Sequence, residues 1–188
     1  MEKLIAFLNS IFPLTPELEA ELITILKCKI FNRSEYLLKA GQIARSIYFI
    51  EKGLVRCYYK LGDKNISAWF MKEGDVIISV NSFFGQTPST EYMQSLEETT
   101  VHYISYSELE KLYSEFVIFN IHGRKLLTHY YRLSEDRAVS MRSLRAKDRF
   151  RWLIENQPDL LQRVPRKYLA TYLGVTESTL SHTSPTSK

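Results

Sequence analysis

From about residue 30 to residue 104 the chain alternates short β-branched and aromatic runs with glycine-marked turns, and no other feature narrows its fold as far. The runs cover residues 36–38, 47–50, 54–59, 66–70, 76–78, 92–96 and 101–104. Gly41, Gly53, Gly62-Asp63 and Gly74-Asp75 punctuate them, suiting turns whose backbone is costly for a residue with a Cβ. Many short strands at this spacing form a small antiparallel barrel or sandwich. No helix is expected to interrupt the block, so a parallel α/β sheet is not expected either.

Helical patterns flank the strands. Thr15-Pro16-Glu17 starts one helix with a cap, a proline at the first position and an acid at the positive end of the dipole, and Leu18, Leu22, Ile25 and Leu26 mark its inner face. Beyond Ser107 a long helix is expected. Phe116, Phe119, Gly123, Leu126, Tyr130 and Leu133 are spaced 3, 4, 3, 4 and 3, an a/d seam. Such a seam either lies on the barrel or pairs with a second copy; on a helix this long, joining two domains, a parallel dimer contact is the favoured reading. A further helix over about residues 144–155 turns Phe150, Leu153 and Ile154 inward and Arg145, Lys147, Arg149 and Arg151 mostly outward, and Pro158 ends it.

Residues 163–182, RVPRKYLATYLGVTESTLSH, carry small and apolar residues where two short crossed helices need them. Ala170 leaves room for a second helix, Gly174 suits the turn, and Leu169, Leu173, Val175 and Leu180 supply apolar contacts. Pro165 needs no amide partner near the first helix start, and Thr176 can cap the second helix. The spacing fits a helix-turn-helix, whose second helix enters a DNA major groove, with an ordinary helical hairpin as the alternative.

The 188 residues are 45% hydrophobic and 24% charged, ordinary for a soluble globular protein with one good core and a small satellite, or two modest domains. The net charge of +4 is unevenly placed: residues 1–136 carry 15 Lys and Arg against 17 Asp and Glu, and residues 137–188 carry 10 against 4. Basic charge gathers around the helix-turn-helix, as phosphate binding requires. The N-terminal apolar run is far shorter than the roughly 20 residues of a membrane span and has no cleavage site, so a cytoplasmic protein with no membrane partner is expected. Cys28 and Cys57 form no C-x-x-C pair, which points to buried thiols rather than a disulfide, zinc or an iron–sulfur cluster. The strands carry no H-x-H pair, no phosphate-cradling glycine loop precedes a helix, and no nucleophile motif occurs, so neither an enzyme nor a metal site is expected.

Taken in order, Ile47-Tyr48-Phe49-Ile50-Glu51-Lys52-Gly53-Leu54-Val55-Arg56, Glu73-Gly74-Asp75-Val76-Ile77 and Leu173-Gly174-Val175-Thr176-Glu177-Ser178-Thr179-Leu180-Ser181 resemble the cyclic-AMP receptor and fumarate–nitrate regulator (Crp/Fnr) family of bacterial transcription factors. The resemblance implies an α+β fold. Residues 1–112 would form an antiparallel β-roll, a cyclic-nucleotide-binding-like jelly roll with flanking helices; residues 113–139 a long dimerisation helix; residues 140–188 a helix-turn-helix domain. It further implies a homodimer on double-stranded promoter DNA, contact with RNA polymerase, and a small-molecule effector. Thr176, Glu177, Ser178, Thr179, Ser181 and His182 would meet the groove, with Arg166 and Lys167 on the phosphate backbone. Ser79, Ser82, Phe83, Phe84, Ser89, Thr90, Leu126 and Tyr130 would line an effector pocket.

Three departures from the family pattern matter. Members that bind a cyclic nucleotide hold its ribose with a Gly-Glu pair and its phosphate with an Arg-Ser pair. Counted without gaps from Gly74-Asp75, these fall on Ile78-Ser79 and Ser89-Thr90; both charged residues are missing, so cyclic AMP is not the expected effector. The clustered cysteines of the oxygen sensors are missing too, and His102, His122 and His129 are read as surface or core residues, so no cofactor is expected. The family's recognition helix usually continues with an arginine and further basic turns, whereas here the chain reads His182-Thr183-Ser184-Pro185-Thr186-Ser187-Lys188. The recognition helix is expected to cover only about residues 177–182, truncated and with the β-wing missing. Two readings follow: a DNA-binding regulator, or a dimeric β-roll module that has lost its grip on DNA.

Overall fold

The computed structural model describes residues 1–183, with side chains through Leu180. Two helices open the chain, α1 (Glu2–Ile11) and α2 (Pro16–Ile25). Thr15 Oγ1 accepts the Leu18 N–H at 3.3 Å, and Leu18 and Leu22 are buried, so α2 has the cap and inner face its sequence dictates.

The strands follow: β1 (Lys27–Phe31), β2 (Tyr36–Leu38), β3 (Ser46–Lys52), β4 (Val55–Leu61), β5 (Lys64–Met71), β6 (Val76–Ile77), then helix α3 (Val80–Gly85), β7 (Glu91–Ser95) and β8 (Thr99–Ser105). They make two four-stranded sheets, ordered β1-β8-β3-β6 and β2-β7-β4-β5, with every pairing antiparallel. Inward residues of both sheets, among them Phe31, Leu38, Phe49, Ile50, Val55, Met93 and Val101, share one core with Leu4, Leu8, Leu18 and Leu22. Gly53 turns β3 into β4 at φ +107°, and a Cβ there would stand 2.6 Å from Thr99 Cα. Only glycine fits.

The structure corrects the sequence reading at four places. β1 is missing from the expected runs because KCKIF is an edge strand with four exposed residues, paired only to β8. Cys28 is therefore exposed rather than buried, while Cys57 is buried; both are free thiols. α3 interrupts the block, yet its six residues are too short for a parallel crossover and simply carry the chain from one sheet to the other. The expected long helix is present as α5 (Phe119–Ser143), but it starts later than read, after a separate α4 (Tyr106–Glu115), so Phe116 lies between them. Phe116 leaves helical geometry at φ −116°, ψ 81°, and Asn120 Nδ2 donates to the Tyr113 and Val117 carbonyls at 3.0 Å each, which holds the break.

The C-terminal part contains α6 (Ala146–Asn156), α7 (Pro158–Arg163), α8 (Arg166–Tyr172) and α9 (Glu177–Thr183). α6 ends just before Pro158, as read, but Pro158 also starts α7, a helix the sequence reading lacked and the fourth correction. Arg149 turns inward, its Nε donating to the Leu173 carbonyl at 2.9 Å. Phe150, Leu153, Leu160, Leu169, Leu173 and Leu180 form a second core together with Leu54 and Phe70 of the β-roll. This unit is docked on β5: Ser67 N–H donates to Thr171 Oγ1 at 3.2 Å, and Ser67 Oγ to the Tyr168 carbonyl at 3.0 Å. Arg56, 1% exposed, stacks between the Tyr58 and Tyr168 rings at 4.3 and 3.7 Å. Among the described residues no helix is long and apolar enough to cross a membrane.

Candidate functional site

A cavity of about 390 Å³ opens between the β-roll, α3 and α5, within the size range of small-molecule sites. Cys57, Trp69 and Met71 form its sheet wall, Phe84 its edge, and Leu126, Leu127, Tyr130 and Tyr131 its helix wall. The Tyr130 hydroxyl accepts the Val76 N–H at 2.8 Å, and burial with the nearby Asp75 charge pushes the phenol up to about 12, so it stays neutral at pH 7. Burial, reinforced by the Glu91 charge, pushes the Cys57 thiol up as well, which makes it a wall group rather than a nucleophile. Among the described residues Glu91 is the one carboxylate on the wall, and no lysine, arginine or histidine lines it. Behind it, Ser79 Oγ donates to Glu91 Oε2 at 2.9 Å, and Ser89 Oγ accepts the Glu91 N–H at 2.9 Å.

Of the residues expected around an effector, Phe84, Leu126 and Tyr130 line this cavity. Ser79 and Ser89 are buried behind Glu91, 3.1 Å apart. Ser82 accepts the Ala44 N–H at 2.8 Å, Phe83 is fully buried in the core, and Thr90 is exposed off the wall. Trp69, Met71, Leu127 and Tyr131 join the wall without a signal in their spacing. Glu91 stood one residue past the ungapped family count, the nearest clue the sequence offered.

The helix-turn-helix is built as its residues require. Gly174 turns at φ +67°, with the Val175 N–H donating to the Ala170 carbonyl at 3.0 Å. Ala170 and Leu180 are each 2% exposed, and Thr176 Oγ1 accepts the Thr179 N–H at 3.2 Å, capping α9. Thr176, Glu177, Ser178 and Thr179 form the exposed face at the start of α9, with Arg166 and Lys167 exposed on α8. The side chains of Ser181 and His182 lie outside the described residues. Arg163 faces the β-roll instead, with Nη2 2.9 Å from Glu73 and 2.6 Å from Glu97. Burial pushes Glu73 up, but hydrogen bonds from Arg163 and the Gly53 N–H outweigh it and hold the carboxyl at about 2.

The expected seam faces inward. Phe119 is buried in the barrel core, and Phe116, Leu126 and Tyr130 pack against it. At Gly123 a Cβ would collide with the Tyr113 hydroxyl, which explains the glycine. Leu133 is 38% exposed, and Leu127, Tyr131 and Val139 present the more open apolar surface of α5 at 60%, 63% and 57%.

His122 and His102 are buried; His122 Nε2 donates to the Phe12 carbonyl at 2.8 Å and His102 Nε2 lies 3.2 Å from Glu51. The cavity they border is only about 80 Å³, far below the 300–1,000 Å³ typical of a cofactor site. Among the described residues no group of three or more His, Cys, Asp or Glu could hold a metal ion.

Residues 28–116 match the cyclic nucleotide-binding domain family. A search of curated proteins finds no match. Among solved structures, the chain is similar to FixK2 from Bradyrhizobium japonicum (TM-score 0.71, 19% identity, covering 85% of this chain and 82% of that one). It is also similar to a CooA mutant from Carboxydothermus hydrogenoformans (TM-score 0.69, 18% identity, 86% and 76% covered) and to the Thermus thermophilus catabolite activator protein (TM-score 0.58, 16% identity, 92% and 83% covered). At these identities the likeness is one of fold.

Proposed function

We propose that this chain, which carries a cyclic nucleotide-binding domain on a Crp/Fnr-like regulator fold, is a dimeric DNA-binding transcriptional regulator whose β-roll cavity takes an effector other than cyclic AMP. The observation that carries the reading is Arg137. It sits on α5 beyond the cavity wall, and its Nη2 donates to the Tyr172 carbonyl of the first helix-turn-helix helix at 2.7 Å. Its guanidinium lies 3.8 Å from the Tyr172 ring and 5.8 Å from the ring of Trp69, which lines the cavity. A group that shifts Trp69 or α5 therefore acts on a contact of the DNA-reading unit.

The dimer would form through the outer surface of α5 around Leu127, Tyr131 and Val139, because the a/d residues read from the sequence are spent on the barrel. Two heads on one dimer would read half-sites about one helical turn apart, with Arg166 and Lys167 on phosphates and Thr176 to Thr179 at the groove. Cyclic AMP is disfavoured because a phosphodiester would meet a carboxylate and no cation on the cavity wall.

Fluorescence anisotropy on duplex DNA at several salt concentrations tests the reading, after sedimentation has established the dimer. Binding should weaken with salt by a log–log slope of about −0.9 per phosphate contact. A dimer that binds no duplex at low salt would establish the second reading, a β-roll module without DNA binding.

A further inference from the structure

The cavity's charge pattern names the class of ligand, an inference that rests on the effector role proposed above. We infer that the cavity takes a small apolar molecule bearing a protonated amine, with the ammonium group on Glu91 and the apolar body between Trp69 and the tyrosines of α5.

Glu91 is the starting point. One of its oxygens, Oε2, is held by the Ser79 hydroxyl at 2.9 Å, and its backbone N–H is held by Ser89 Oγ, also at 2.9 Å. Ser79 and Ser89 are 2% and 5% exposed, so the carboxylate is backed by a buried polar support that fixes its position. Among the described residues no lysine, arginine or histidine pairs with it. A carboxylate on a mostly apolar wall gains most from a ligand that brings a positive charge and N–H donors, and it repels an anion.

The rest of the wall supplies the complement to an ammonium with an apolar body. Trp69, Tyr130 and Tyr131 bring aromatic rings to the wall, whose faces attract a cation electrostatically, while Met71 and Leu126 offer apolar contact. Tyr130 is neutral, so it adds no charge of its own. A cyclic nucleotide needs the reverse arrangement at its phosphate.

The test uses the full chain and three probes of similar shape in isothermal calorimetry: phenethylamine, its uncharged analogue propylbenzene, and the anion 3-phenylpropionate, with cyclic AMP as a fourth. Phenethylamine should bind in a one-to-one ratio and more tightly than propylbenzene, and the anion and cyclic AMP should give no binding. Glu91→Gln keeps the hydrogen bond from Ser79 and should weaken phenethylamine by about tenfold or more, the scale of a hydrogen bond to a charged group. Leu127→Trp, on the helix wall, should weaken every probe, while propylbenzene binding left unchanged by Glu91→Gln guards against a folding artefact in the first variant. Absence of phenethylamine binding, tighter binding of 3-phenylpropionate or cyclic AMP, or an unchanged affinity in Glu91→Gln would overturn the inference. Duplex binding in the same preparations separates the two proposals: DNA binding without amine binding rejects the ligand class and keeps the regulator, and amine binding without DNA binding does the opposite.

Discussion

Replacing Arg137 by methionine isolates the contact that joins the cavity helix α5 to the helix-turn-helix unit. Methionine keeps most of the stem volume and removes the guanidinium. The variant loses a charge-assisted hydrogen bond to the Tyr172 carbonyl, 2.7 Å long, and the stacking on Tyr172 at 3.8 Å. Such a bond contributes about 1.5–3 kcal/mol and a partly desolvated cation–π contact about 1 kcal/mol. Against this, burial pulls the Arg137 pKa below the usual arginine value, and that desolvation cost disappears in the variant. The balance is a loss of about 2 kcal/mol, or about 4–8 °C in Tm for a chain of this size. Thermal and urea unfolding followed by tryptophan fluorescence read it directly, with Trp69 on the cavity wall and Trp152 on α6. Arg132→Met, on the same helix but exposed, is the control and should stay within about 0.5 kcal/mol. A Tm change of less than about 1 °C in Arg137→Met would refute the argument.

Other outcomes follow from the same structure. Gly53→Ala should cost more than about 3 kcal/mol, because φ +107° and a Cβ 2.6 Å from the Thr99 backbone force the β3–β4 turn open; a wild-type urea midpoint would contradict this. The carboxyls of Glu73 and Glu108 are pushed up by burial but held at about 2 by Arg163 and Gly53, and by Lys27 and Ser105, respectively. Folded values below the usual 4.5 stabilise the protein above that pH, and this contribution should be lost as pH falls from 4.5 toward 2, with a smaller fall in the double variant Glu73→Gln, Glu108→Gln. Leu127→Asp with Tyr131→Asp should turn a sedimenting dimer into a monomer without unfolding it, since both side chains are more than half exposed, at 60% and 63%; a dimer that survives would move the interface elsewhere.

Much of the fold was legible because its elements carry local signals. The period of two and the glycine turns located seven strands, and Ala170, Gly174 and Leu180 located the helix-turn-helix, because a turn at positive φ and a close helix crossing leave few residue choices. β1 was illegible since an edge strand buries almost nothing, and α3 because two adjacent phenylalanines read equally as strand. Helical periodicity showed which residues of α5 share a face, but not what they meet. Phe119, Leu126 and Tyr130 have the spacing of a coiled coil and the barrel as their partner. Glu91 belonged to an ordinary alternating strand, and the fold, not the sequence, brings Ser79 and the α5 wall to it.

In the proposed regulator, the helix-turn-helix would hold DNA through Arg166 and Lys167 at the start of α8. The most direct measurement is the salt dependence of duplex binding by the wild type and by Arg166→Ala, Lys167→Ala, read by anisotropy. If both residues meet phosphates, binding weakens and the log–log slope becomes shallower by about 1.8 in the variant. Equal affinities and equal slopes, or no binding by a proven dimer at low salt, would contradict the claim.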